Sequence, residues 1–222
     1  MNDKEEVKGM IDLHCHLLPA VDDGAQNLEE SLAMAEKAVE QGITHILCTP
    51  HHNNGKYCNQ KKKVIPLVAT LQKELDKRNL PLVLLEGQEV RITGELLEAL
   101  HRDELLFTDL NDTYLLIEFP TLEVPLYAKN LFFELLKLGK IPVIVHPERN
   151  TYFAKDPNRL LPVDIMRELE KEGIIGKLCD IFLTTAGVMT STEESIRLGK
   201  RIASSIRQYE VDAVIITSAC GT

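Results

Sequence analysis

Short apolar runs alternate with longer segments of helical period along the first two thirds of the chain. Met10-Ile11-Asp12-Leu13 reads as a short buried strand running into His14 and His16. A loop over 17–26 follows. Asn27 then stands as a helix cap, with Glu30 three residues on as its capping-box partner. Leu28, Leu32, Ala35 and Val39 form that helix's apolar stripe, and Gly42 ends it. Ile43–Cys48 is the next strand. A helix over 62–78 comes after it, with Pro66 tolerated in or near the first turn. The pattern continues with a strand at Leu82–Leu85, a short helix over 95–101 and a strand at Tyr114–Ile117. A helix opened by Pro125 and closed by Gly139 then leads to a strand at Val143–Val145. This alternation argues a parallel sheet or an α/β barrel. Helical patterning resumes over 164–172, with Gly173 after it, and over 191–208.

The strand ends carry the candidate chemistry. His14 and His16 follow the first strand, and His51, Glu89, Glu118 and His146 each follow a later one. Residues two apart on a strand point the same way, roughly 7 Å apart, so His14 and His16 can reach one cation or two adjacent ones. In a parallel barrel all strand C-termini open onto one face, where active sites form. The seven histidines are 14, 16, 45, 51, 52, 101 and 146, with none in the last 76 residues, so histidine chemistry falls to the first two thirds. Imidazoles mixed with carboxylates, including the Asp22-Asp23 pair, suit hard or borderline divalent ions. More than four ligands imply more than one ion, and clustered ions suit phosphate-ester hydrolysis. Arg149, three residues past His146, offers a bidentate contact to a phosphate.

Composition narrows the partners. At 222 residues, 44% hydrophobic and 27% charged, the chain is globular and long enough to bury a real core. A formal charge of -9 argues against a nucleic-acid partner. No apolar stretch approaches the length of a membrane span. The charged MNDKEEVKG start predicts no signal peptide. Five cysteines without a CxxC spacing read as free thiols of a reducing cytoplasm.

The motifs IDLHCHLLPAVDDGA, CTPHHNNGKY, GQEVRI, LLIEFP and IPVIVHPERN carry a specific likeness. Residues 10 to 150 resemble the bacterial manganese-dependent tyrosine-protein phosphatases of the PHP (polymerase and histidinol phosphatase) superfamily, which belong with capsule and exopolysaccharide operons. The resemblance implies a distorted PHP-type (β/α) barrel holding Mn2+ ions. It implies His14, His16, His51, Glu89, Glu118 and His146 as metal ligands, Asp23 as the acid at the site, and Arg149 as the phosphate contact. The implied substrate is a phosphotyrosine protein, typically a bacterial tyrosine kinase.

The rest of the chain departs from that family. Its members close the barrel with a Ser-Asp-x-His strand supplying two more ligands. Here Ala219 and Gly221 stand at those positions, with Cys220 between them. The resemblance therefore implies fewer bound ions and reduced activity. DPNRLLPVDIMRELEKEGIIGKL and VDAVIITSACGT resemble instead the selenoprotein subunit of glycine, betaine or D-proline reductases, with Cys220 at the selenocysteine or cysteine place. The two likenesses meet near residues 150 to 156. The expected organisation is a phosphatase region over 1–150, an incomplete barrel, and a reductase-subunit-like segment over 151–222 that completes or flanks it. Two alternatives stand beside the phosphatase: a redox subunit fragment using Cys220, and a non-catalytic metal-binding remnant.

Overall fold

The computed structural model describes residues 9–155, 167–168, 170–179 and 192–209. The backbone falls into two compact units, Met1–Asn150 and Thr151–Thr222. The first contains strands β1 (Met10–Cys15), β2 (Ile43–Cys48), β3 (His51–His52), β4 (Val83–Glu86), β5 (Glu89–Arg91), β6 (Tyr114–Glu118) and β7 (Ile141–Ile144). Helices α1 (Leu28–Glu40), α2 (Lys61–Lys77), α3 (Leu96–His101) and α4 (Ala128–Lys137) cross between them.

The seven strands form two ladders, β1-β2-β4 and β3-β5-β6-β7, and every pair is parallel. The ladders are two halves of one strand system. β2 and β3 are consecutive pieces of one run, broken at Thr49-Pro50, and β4 and β5 are likewise broken at Gly87-Gln88. Pro50 has no N–H to give to a ladder, which accounts for the first break. Bridging bonds span the breaks: Thr49 N–H to Cys15 O at 2.8 Å, Gly87 N–H to Cys48 O at 3.0 Å and Glu89 N–H to Pro50 O at 3.1 Å.

Helix ends follow local chemistry. Asn27 caps α1 by accepting from the Glu30 N–H at 2.9 Å, and Glu30 reaches back to the Gln26 N–H at 2.8 Å. Past α4, Gly139 turns left-handed at φ 72°, and the Lys140 N–H closes onto Leu135 O at 2.9 Å. Pro66 lies inside α2 beyond its first turn, further in than the sequence pattern suggested. Its missing N–H leaves the Lys62 carbonyl without its helical donor, and both residues sit on the exposed face, where water can serve. The buried stripe of Val64, Val68, Leu71 and Leu75 keeps the helix in place by packing.

The main core joins α1 and α2 to the first ladder through Leu32, Ala35, Ile46, Val68, Leu71, Leu75 and Leu84, with Leu28 and Val39 packed at its margin. Truncating one of the fully buried leucines to alanine costs about 2–5 kcal/mol. On the other ladder α4 buries Ala128, Leu131 and Leu135. Phe132 meets Phe119 edge-on with ring centroids 5.8 Å apart.

The second unit contains a short helix α5 (Thr151–Ala154), helical residues at 167–168 and 170–171 with Gly173 (φ 70°) after them, and helix α6 (Thr192–Ile206) followed by a 3-10 turn, Arg207–Tyr209. Among the described residues no helix is long and apolar enough to cross a membrane. The C-terminal positions Ala219, Cys220 and Gly221 lie outside the described residues, as does all of 156–166.

Candidate metal centre

The ladders aim the candidate ligands at one point. β3 pairs with β5 so that His51 lies beside Glu89, and β5 pairs with β6 so that Arg91 lies beside Glu118. Glu89 and Arg91 are two apart and share a face. His51, Glu89, Arg91 and Glu118 therefore stand on one side of the second ladder, while His52, Val90 and Ile117 alternate to the other. His14, in β1, and His16, just past it, approach from the first ladder. His51 and Glu89 lie within short continuation strands, and Glu118 is the last residue of β6, whereas the sequence pattern puts all three just after their strands. Two- and three-residue strands are too short to show a period.

Glu89 is the hub. It is fully buried, and its Oε2 lies 3.1 Å from His14 Nε2, 3.1 Å from His16 Nε2 and 3.3 Å from His51 Nδ1. Its Oε1 contacts His146 Nε2. Burial works against its charge, but the His14, His146 and His16 rings outweigh that and hold its pKa far below the usual carboxylate range.

His146 reaches the hub through an unusual backbone. Its φ of 29° and ψ of 56° are left-handed, a conformation that L side chains rarely adopt. Pro147 follows, disfavours the helical region for His146 and opens the 3-10 turn Pro147–Arg149. Arg149, half-buried, sits on that turn and donates its N–H to His146 O at 3.0 Å.

The loop after His16 supplies the acidic pair, whose members differ. Asp22 is buried: its Oδ2 lies 2.6 Å from His16 Nδ1 and accepts the His51 N–H at 2.9 Å, and its Oδ1 accepts the Gly24 N–H at 3.0 Å. Burial opposes its charge, and His16 with the two N–H donors prevails and lowers its pKa. Asp23 is half-exposed, with Oδ1 3.4 Å from His51 Nε2. The family resemblance points to Asp23 as a site residue and to Asp22 only as half of the pair. The fold makes Asp22 the better-anchored of the two. Asn59, also not singled out, is buried and donates to His51 O at 2.8 Å.

The donor set fits divalent cations. His16, His51 and Glu89 offer ligand atoms within 4.8 Å of one another, as do His14, Glu89 and His146, and His16, Asp22 and Asp23. Glu89 and His16 each belong to two of these groups. His51 Nδ1 and Glu118 Oε2 face each other at 3.5 Å, both buried and without a hydrogen bond. Such orphaned donor atoms are costly unless a cation satisfies them. His51 shows the same demand for positive charge: burial lowers its pKa, and the facing Glu118 and Glu89 carboxylates raise it by more. Beside Glu118, Arg91 and Asn54 line an open cavity of about 620 Å³ with residues 120–123.

Parallel ladders whose strand ends converge on buried imidazoles and carboxylates define an α/β protein with a histidine–carboxylate centre. The sequence model of the family described as capsular polysaccharide synthesis, CpsB/CapC, matches residues 10–176, and the chain belongs to that family. The tyrosine-protein phosphatase YwqE of Bacillus subtilis is 51% identical over 152 residues, covering 68% of this chain and 59% of the relative. The putative tyrosine-protein phosphatase CapC of Staphylococcus aureus is 36% identical over 170 residues, covering 76% and 64%. Among solved structures, one from a study of YwqE from Bacillus subtilis and CpsB from Streptococcus pneumoniae, described as unique metal-dependent tyrosine phosphatases, aligns with a TM-score of 0.63. That alignment has 51% identity and covers 68% of this chain and 61% of the other. The fold is thus the PHP-type α/β fold of these proteins. The chain spans about three fifths of the length of these curated relatives.

The C-terminal likeness is also found. The model of glycine/sarcosine/betaine reductase selenoprotein B matches residues 144–219. The glycine reductase complex component B subunit gamma of Symbiobacterium thermophilum is 51% identical over 72 residues, which cover 32% of this chain and 17% of that protein.

Proposed function

We propose that the protein is a metal-dependent phosphomonoesterase acting on protein phosphotyrosine, in the cytoplasm and in connection with capsule or exopolysaccharide synthesis. The observation that carries this reading is Glu89: one fully buried carboxylate facing His14, His16, His51 and His146. His14, His16, His51, Glu89, Glu118 and His146 would hold divalent ions, Mn2+ first among the candidates. Such ions supply charge stabilisation to a phosphoryl group in hydrolysis. The named relatives support the substrate class, and a tyrosine kinase is the natural phosphoprotein partner for enzymes of capsule synthesis. The phosphatase region is read as 1–150 and the reductase-like segment as 151–222.

The chain's own groups take the remaining roles. Water and the phosphomonoester give the free tyrosyl hydroxyl and inorganic phosphate. Arg149 offers N–H donors to the phosphate oxygens and cannot ligate a cation. Asp23, half-exposed beside His51, is the residue this reading assigns as the acid toward the leaving phenolic oxygen. Asp22 fixes the His16 ring. The cavity lined by Arg91 and residues 120–123 gives the substrate's flanking chain a seat.

With Ala219 and Gly221 where the family has Asp and His, activity is reduced and fewer ions are held. Losing one ion's stabilisation of the transition state costs several kcal/mol, on the order of a thousandfold in rate. Purified full chain given Mn2+ and an aryl phosphate tests the reading. Slow turnover that Arg149→Ala abolishes without loss of metal supports it. Metal uptake with no turnover favours a binding remnant. Turnover that survives in a His14→Ala, His16→Ala double variant stripped of metal defeats it.

A further inference from the structure

We propose that Arg91 is a positioning residue: it fixes the Glu118 carboxylate with one oxygen turned into the cluster, and so sets the affinity for a divalent cation. The inference rests on the metal-centre reading and adds a residue outside the ligand set.

The placement comes from the ladder. Arg91 and Glu118 are register partners on the parallel strands β5 and β6, and the Ile92 N–H bonds Glu118 O at 2.9 Å, locking the register. Paired residues project to the same face, so the guanidinium and the carboxylate meet without any loop to hold them. Arg91 Nη2 lies 3.2 Å from Glu118 Oε1. That occupies one oxygen. The other, Oε2, is buried, makes no hydrogen bond and stands 3.5 Å from His51 Nδ1.

A carboxylate held at neither oxygen can turn, and a bare buried carboxylate oxygen is unfavourable. A planar guanidinium on Oε1 fixes which oxygen faces inward. The pair is only about a fifth and a tenth exposed, at 23% and 12%, so water screens it weakly. Residues that hold ligands in this way typically tune metal affinity 10–100-fold. Arg91 also lines the open cavity, so its replacement leaves a solvent-accessible gap rather than a sealed void.

The test uses the full chain stripped of metal: wild type, Arg91→Lys, Arg91→Gln, Glu118→Gln and Arg91→Gln combined with Glu118→Gln. Mn2+ affinity is read by titration calorimetry, and folding of the metal-free proteins by thermal denaturation. Arg91→Gln should weaken Mn2+ binding about 10–100-fold. Arg91→Lys should recover part of the loss, and Arg91→Gln should add nothing in the Glu118→Gln background. Wild-type affinity in folded Arg91→Gln, or losses that simply add in the double variant, would overturn the role. If Arg91→Gln does not fold, Arg91→Lys carries the test, and wild-type affinity there overturns it equally. Wild type that takes up no Mn2+ defeats the metal-centre reading itself, a different result from an unaltered Arg91 variant.

Discussion

Asp22 Oδ2 accepts from His16 Nδ1 at 2.6 Å, and this one contact decides what the other side of the ring can do. With its proton on Nδ1, a neutral His16 presents its acceptor lone pair at Nε2. That atom lies 3.1 Å from Glu89 Oε2, which is also an acceptor. Two acceptors at that separation need a proton or a cation between them. Carboxylate–histidine–metal relays have this form.

Asp22→Ala removes the ring's anchor and strips an acceptor from the His51 and Gly24 N–H groups. Losing hydrogen bonds to a buried carboxylate of this kind costs about 1.5–3 kcal/mol. Divalent affinity should fall about 10–100-fold with it. Denaturant unfolding of the metal-free protein and metal titration measure the two effects separately.

Glu89→Gln keeps the shape of the hub and halves its acceptor capacity. Wild type should gain roughly 2.7 kcal/mol of stability at a Mn2+ concentration 100 times the dissociation constant. The variant should gain little of it. Thermal melts with and without chelator check this, and an equal Mn2+-induced rise in the variant would contradict the hub role.

Gly24→Ala tests the loop that sets Asp22. A Cβ there would run into the carbonyl oxygen and Cβ of His16, and the backbone on one side must move. The expected cost is about 3 kcal/mol, with Asp22 displaced from His16. A variant as stable as wild type and with unchanged metal affinity would show that the loop yields without harm.

His52 predicts a pH effect. Its ring is buried on the face of β3 opposite the cluster; burial lowers its pKa, with Glu104 opposing. A histidine whose folded pKa is depressed contributes stability that is fully present above its unfolded pKa, ~6.5. That stability is lost as pH falls through the folded value. His52→Leu has no ring to protonate there. Its melting temperature should fall less steeply than wild type's on acidification below ~6.5. Parallel curves for the two proteins would refute the assignment.

The alternation of strands and helices was legible because apolar period and capping chemistry are local. Asn27 with Glu30, and Gly139 after α4, behave as their residue types dictate. The short strands β3 and β5 were not legible, because their pairing comes from neighbours distant in sequence. The same holds within the site. Asp22 and Asp23 are chemically identical in sequence, and only the fold buries one and exposes the other. Arg91 left one signal: it stands two residues after Glu89, the spacing that puts both on one face of a strand.

The breaks at Thr49-Pro50 and Gly87-Gln88 have a dynamic consequence. They divide the strands so that His14 and His16 come from one ladder, and His51, Glu89 and Glu118 from the other. A cation held among these groups would clasp the two ladders, and neither could open without releasing it. Amide protons of Ile46 and Ile117, one in each ladder, should then exchange with solvent at a common rate while the ion is bound. After chelation each should follow the opening of its own sheet.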